Sequence, residues 1–406
     1  MIRHAVACAL ALPACFHPVY DRPACGPGDT CPDGLTCSEG GVCEPPGTIG
    51  NIDAAPIDGT TADPRDAPTV DARPTAFCAG TFQRACLDLA PTTDVTLATQ
   101  TIDTSNPAIC APAMLTPSIL ACVITGRSIT IPAGTTVTVI GRNPLVLLAD
   151  TITISGTLDV ASHRGATDGP GANSPFCATN GVAPTTGSGR ADGGGGSGGS
   201  FGRKGGNGGG GGEDGLAGGA PDAIPLALLH GGCGGGSGAG TGGLGGHGGG
   251  AVALNAKTTL IIDGVVNASG ASGAGGKTGG GGGGGGAGGM IVLDASTVTV
   301  TGQCFANGGG AGEGANIGAN GEDGKESVTA STAGAGGSVG TTVGGDGGPG
   351  GAGTLAIGGN GVKGTDEGSS AVGGGGGGGG GVGIIKLVST SPSGTTDLSK
   401  VSPAPL

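Results

Sequence analysis

The chain has 406 residues, 101 of them Gly and 26 Pro, against roughly 7% and 5% in ordinary proteins. It contains no Trp, one Tyr, six Phe and three Met, so side chains able to fill a conventional globular core are scarce. Collagen is excluded because its strict Gly period with abundant Pro is missing. A formal charge of −13 with 17 Lys and Arg argues against a nucleic-acid partner, whose phosphates need clustered cations.

Met1 to His4 carries a fixed positive charge, Ala5 to Leu12 is a short apolar run, and Leu12-Pro13-Ala14-Cys15 closes it with small residues. That is the layout of an export signal, and the run is far shorter than the ~20 residues of a transmembrane helix. The Leu-x-Ala-Cys segment resembles the lipobox of bacterial lipoproteins. The resemblance implies removal of residues 1–14 as a signal peptide and lipidation of Cys15. The expected location is the outer membrane or cell surface through a lipid anchor, and the periplasm or extracellular space without it.

Cysteine usage agrees with export. Cys25, Cys31, Cys37 and Cys43 recur at intervals of six among Gly and Pro in residues 15–44. So short a stretch cannot bury a core, and two disulfides are expected to hold it, with connectivity open. A zinc site would need a CxxC pair, which is absent. Residues 45–77 alternate Pro and Asp without apolar periodicity and read as an extended, solvated linker. Residues 78–126 read as a cap in which proximity pairs Cys78 with Cys86 and Cys110 with Cys122.

The body, 127–390, repeats itself. Leu145 to Ser162 aligns without a gap on Ile291 to Gly308: Leu147 meets Leu293, Ile154 meets Val300, and Gly156 meets Gly302. Val252 to Ser269 is a further copy after one extra residue near Lys257, and Ile385 with Leu387 begins a partial one. Within a copy the inward set is Leu145, Leu147 and Ala149, then Ile152 and Ile154, then Leu158 and Val160. The parity slip after Ala149 and the Gly at 156 read as corners. The expected fold is therefore all-β: a right-handed parallel β-helix of about four to five rungs, each of three short strands. Residues 391–406 are a tail.

Gly-rich insertions over 163–250, 270–288 and 309–382 leave from one corner. Two readings stand for them, polyglycine-II-like segments packed side by side and disorder. Cys177 and Cys233 fall in the first insertion and could bridge it. Cys304 is left over, on the inward parity beside Leu158 and Val266, where a buried free thiol behaves as a small hydrophobe.

In pattern, 127–390 resembles Gly-rich β-helical surface lipoproteins of Gram-negative bacteria, sometimes labelled PE-PGRS-like, and the resemblance brings no catalytic residues. Chance motifs fail on context. Ala271 to Thr278 satisfies a loose phosphate-loop pattern, yet Gly279 to Gly286 follow where a helix must start. Gly195 to Gly199 mimics a nucleophile elbow without its strand and helix. The acidic pairs Glu213-Asp214, Glu322-Asp323 and Asp366-Glu367 do not recur at the spacing of a calcium repeat. His163, Arg164 and Asp168 form one mixed polar group, read as a loop corner. No catalytic, cofactor or metal residue is assigned. The expectation is an exported, membrane-anchored structural or adhesive surface protein, its partners the membrane and other surface components or glycans. The alternative is a polysaccharide-acting enzyme or a glycan-binding β-helix.

Overall fold

The computed structural model describes residues 30–31, 35–37, 43–44, 76–115, 119–177, 182–187, 192–212, 215–224, 228–338, 343–366 and 373–406. The expected signal peptide, Cys15, Cys25 and residues 45–75 of the expected linker lie outside them. The chain divides into two units, Met1–Asp71 and Ala72–Leu406. In the first, β1 (Thr36–Cys37) and β2 (Cys43–Glu44) pair antiparallel, Cys31 is bonded to Cys43, and Cys37 is also disulfide-bonded.

The second unit is built of β3 (Phe77–Ala79), β4 (Ala85–Leu87), β5 (Val95–Thr96), β6 (Gln100–Asp103), β7 (Ala111–Leu115), β8 (Ile119–Ile131), β9 (Thr136–Ile140), β10 (Leu145–Ile154), β11 (Thr157–Asp159), β12 (Ala251–Ile262), β13 (Val265–Asn267), β14 (Met290–Asp294), β15 (Thr297–Val300), β16 (Gln303–Phe305), β17 (Ile384–Val388), β18 (Ser391–Ser393) and β19 (Val401–Ser402). No helix occurs among the described residues. One sheet of nine strands runs β17-β14-β12-β10-β8-β5, with β15 beside the second half of β12, β18 beyond β15, and β7 antiparallel on β8. A second sheet of six parallel strands runs β19-β16-β13-β11-β9-β6. The hairpin β3–β4 stands apart, cross-linked by Cys78–Cys86.

The expected right-handed β-helix of three-stranded rungs is corrected by this arrangement: the strands form two parallel sheets. Where the sequence places a corner after Ala149, the backbone runs on, giving single strands of 13 residues in β8, 10 in β10 and 12 in β12. The β10–β8 ladder keeps its register across the parity slip, Ala149 opposite Gly126 and Thr151 opposite Ser128, whereas the β10–β12 ladder shifts there, its partners jumping from Ala256 to Thr259. A bulge absorbs one surplus residue without ending the strand.

The ladder itself follows the aligned segments: Leu147 pairs with Leu254 and Leu254 with Leu293, and Ile154 pairs with Ile262 and Ile262 with Val300. The inward residues of both sheets, among them Leu147, Ile154, Leu158, Val266 and Cys304, make one apolar core. The alternate residues Val146, Leu148, Ala253 and Val292 are buried too, beneath Phe77 of the hairpin and Phe201 and Leu229 of the first Gly insertion. Strands covered on both faces read as continuous apolar runs, as Leu145–Ala149 does.

Gly156, Gly264 and Gly302 are needed for a steric reason. A Cβ on Gly264 would fall 1.9 Å from the Gly156 carbonyl oxygen, and one on Gly302 2.0 Å from that of Gly264. The chain is packed too tightly between neighbouring strands at these points for any side chain.

The described Gly-rich segments are hydrogen-bonded to one another, and residues 279–289 show how. Gly282, Gly285 and Gly288 donate to Gly375, Gly378 and Gly381. Gly283, Gly286 and Gly289 donate to Ala274, Ala271 and Ala268, while Gly281, Gly284 and Ala287 donate to Ala239, Gly236 and Cys233. Their carbonyls accept with the same period, from Gly193, Gly196 and Gly199, from Gly243, Gly246 and Gly249, and from Ala315, Gly312 and Gly309. One extended segment is thus bonded to six others over N···O distances of 2.7–3.1 Å. A three-residue period is that of the extended polyproline-II-type chain, which has no internal hydrogen bonds and leaves every amide free for a neighbour. This saturation offsets the ordering entropy that a Gly tract would otherwise lose.

Candidate functional site

A concave site lies where the hairpin meets the nine-stranded sheet. Leu148, Asn255, Asp294 and Val388 are successive partners across the ladder, so two polar residues lie in a row between Leu148 and Val388. Both are buried, and both grip the hairpin loop. Asn255 donates its side-chain amide to the Gln83 carbonyl oxygen at 2.8 Å. Asp294 Oδ2 accepts the Thr81 and Phe82 backbone amides, the latter at 3.2 Å. Gly80 turns the chain at φ +91°, and a Cβ there would fall 2.4 Å from the Gln83 carbonyl oxygen and 2.5 Å from Asn255 Nδ2. The loop therefore has one fixed position on the sheet, reinforced by Cys78–Cys86.

Beside this clamp opens a cleft of about 590 Å³, lined by Gly80, Thr81 and Arg84 from the hairpin, Lys257, Asp294 and Ser296 from the sheet, and Ser389 and Thr390 after β17. Arg84 and Lys257 are exposed, and among the described residues neither makes an ion pair. Lys257 Nζ stands 5.6 Å from the centroid of the Phe77 ring, a cation–π contact that holds the ammonium at the cleft. The site thus combines two cations, one buried carboxylate and several hydroxyls.

The mixed group at His163 is taken apart by the structure. His163 lies between Asp159 and Glu326, with Nε2 2.9 Å from Asp159 Oδ2 and Nδ1 2.6 Å from Glu326 Oε2. These bonds, that to Asp159 first, push the imidazole up to about 10, so it stays protonated. Arg164 pairs with Asp323, and Asp168 with His247. Glu326 also accepts the Arg164 backbone amide at 2.6 Å, so it holds both His163 and Arg164, and these contacts tie Gly-rich segments together while Asp168 pairs elsewhere.

The phosphate-loop lookalike is likewise occupied. The amides of Ala271, Gly273, Ala274, Gly276 and Lys277 donate to His247, Gly310, Leu244, Glu313 and Thr241. Ser197 of the elbow lookalike is buried and its carbonyl accepts the Gly236 amide. No group of three His, Cys, Asp or Glu suited to a metal occurs among the described residues.

Cys110 is bonded to Cys122 and Cys177 to Cys233. Cys304 is free and buried, and burial pushes its thiol up to about 12. Sequence reasoning assigns no role to Arg84, Asn255 or Asp294. The available signal is the polar pair Asn255 and Asp294 aligned on Leu148, and it points to a buried polar partner from outside the aligned segments.

No protein-family model, curated protein or solved structure matches the chain.

Proposed function

We propose that the chain is an exported structural or adhesive surface protein, anchored by a lipid at Cys15 and without catalytic activity. The observation that carries this reading is the cross-bonded Gly lattice. Its amides are spent on neighbouring segments and its interior has no room for side chains. Such a body is suited to mechanical stiffness and to presenting its rim, and poorly suited to placing reactive groups. The disulfides Cys31–Cys43, Cys78–Cys86, Cys110–Cys122 and Cys177–Cys233 support an oxidising, exported environment.

The test is membrane fractionation of the full chain beside a Cys15→Ala variant in a Gram-negative host. Wild type should sediment with the outer membrane and carry an acyl mass on Cys15, while the variant should be soluble. Equal partitioning of the two would remove the anchor from this reading.

A further inference from the structure

We propose that the cleft between the β3–β4 hairpin and the nine-stranded sheet binds an acidic glycan through a carboxylate-bearing sugar. The carboxylate meets Arg84 and Lys257, and the ring hydroxyls meet Asp294, Ser296 and Thr390. The inference deepens the adhesive reading and rests on it for the choice of a glycan over a small metabolite.

Four observations carry it. The first is size, since about 590 Å³ lies in the range of small-ligand sites, roughly 300–1,000 Å³. The second is the pair of cations without ion-pair partners among the described residues, which are complementary to an anion and, in Arg84, offer a planar fork matched to a carboxylate. Third, Asp294 lines the same cleft. A buried carboxylate only accepts hydrogen bonds, so it favours a ligand whose anionic group is flanked by hydroxyl donors and disfavours one that is anionic all round, such as a polyphosphate. Fourth, the lining residues include no aromatic ring on which a nucleobase could stack. A uronic-acid-type sugar combines one carboxylate with several hydroxyls on a single ring. The clamp by Asn255 and Asp294 sets the loop in place before any ligand arrives, so little ordering is lost on binding.

Titration calorimetry on the purified full chain tests this with tri-galacturonic acid, neutral galactotriose and the tripeptide acetyl-Ala-Ala-Ala, whose only charge is its terminal carboxylate. The acidic trisaccharide should bind at least tenfold more tightly than either comparator. Arg84→Gln and Lys257→Gln, both at exposed positions, should each weaken it about tenfold, whereas Lys400→Gln, outside the cleft, should leave it unchanged. Equal binding of the neutral sugar, equal binding of the peptide, or equal loss in Lys400→Gln would each overturn the assignment. Membrane fractionation reports on the anchor and calorimetry on the cleft, so the two readings can fail separately.

Discussion

Glu326 Oε2 lies 2.6 Å from His163 Nδ1, joining residues 163 positions apart, while Asp159 holds the other ring nitrogen. The imidazole is raised from 6.5 to about 10, chiefly by its hydrogen bond to Asp159 and then by that to Glu326. A raised folded-state value means that the proton binds the folded chain more tightly. The stabilisation is therefore complete below about pH 6.5, fades as pH climbs through the window up to about 10, and is gone above it. The side chain is more than a third exposed, so solvent screening reduces the contribution to about 1 kcal/mol. His163→Gln should lower stability by that amount at pH 6 and have little effect at pH 10.5. Thermal or denaturant unfolding at the two pH values measures this, and an equal deficit at both would rule out the charged bridge.

The Gly lattice makes a sharper demand. A Cβ on Gly284 would stand 1.9 Å from the Ser197 carbonyl oxygen, whereas one on Gly318 meets nothing nearer than the Asn316 side chain at 3.7 Å. Gly284→Ala must push whole backbone segments apart and should cost on the order of 3 kcal/mol, at the upper end of overpacking penalties. Gly318→Ala should be neutral within about 0.5 kcal/mol. Chemical unfolding of the two variants beside wild type decides it. Similar small effects would show that the segments are not held at the spacing seen here.

Much of the strand content was open to sequence reasoning, because Ile152, Ile154 and Leu158 alternate with polar or small residues and, with Leu147, align with Leu260, Ile262, Val266 and Leu254. The continuous path of β10 through Asp150 was not. A corner and a slip taken within one continuous strand look the same in one dimension, and only the pairing with β8 and β12 on either side shows that the strand runs on. Burial of Val146 and Leu148 on the second face was hidden as well, since their cover comes from Phe77 and from Phe201 and Leu229, remote in sequence. The cleft was illegible for the same reason. Arg84 is one cation in a loop until Asn255 and Asp294 hold that loop against the sheet. Composition cannot separate ordered Gly from disordered Gly, because the deciding bonds link residues such as Gly282 and Gly375 from different insertions.

The disulfide Cys177–Cys233 closes 56 residues of the first insertion. Cross-linking a loop of that length restricts the unfolded chain by about 4 kcal/mol in the chain-entropy account. Replacing both residues by Ser should lower stability by about 2–4 kcal/mol. Limited proteolysis should then cut first within 178–232, ahead of the two sheets. An unchanged cleavage pattern would mean that lattice hydrogen bonds alone hold the insertion.

Cys304 pairs with Val266 on one side and Val401 on the other, in the inward row of the six-stranded sheet, where it is buried and free. Desolvation pushes its thiol up to about 12, so at pH 8 the reactive thiolate is only about one part in ten thousand. An alkylating reagent at that pH should therefore miss Cys304 in the native protein and modify it after unfolding without reductant, as read by peptide mass spectrometry. Cys304→Val matches its two ladder neighbours in shape and polarity and should change stability by less than about 1.5 kcal/mol. Cys304→Asp, which buries an unpartnered carboxylate in the same core, should prevent folding. Rapid native labelling, or tolerance of Asp at this position, would place residue 304 on the solvent side of the sheet and overturn the shared core described between the two sheets.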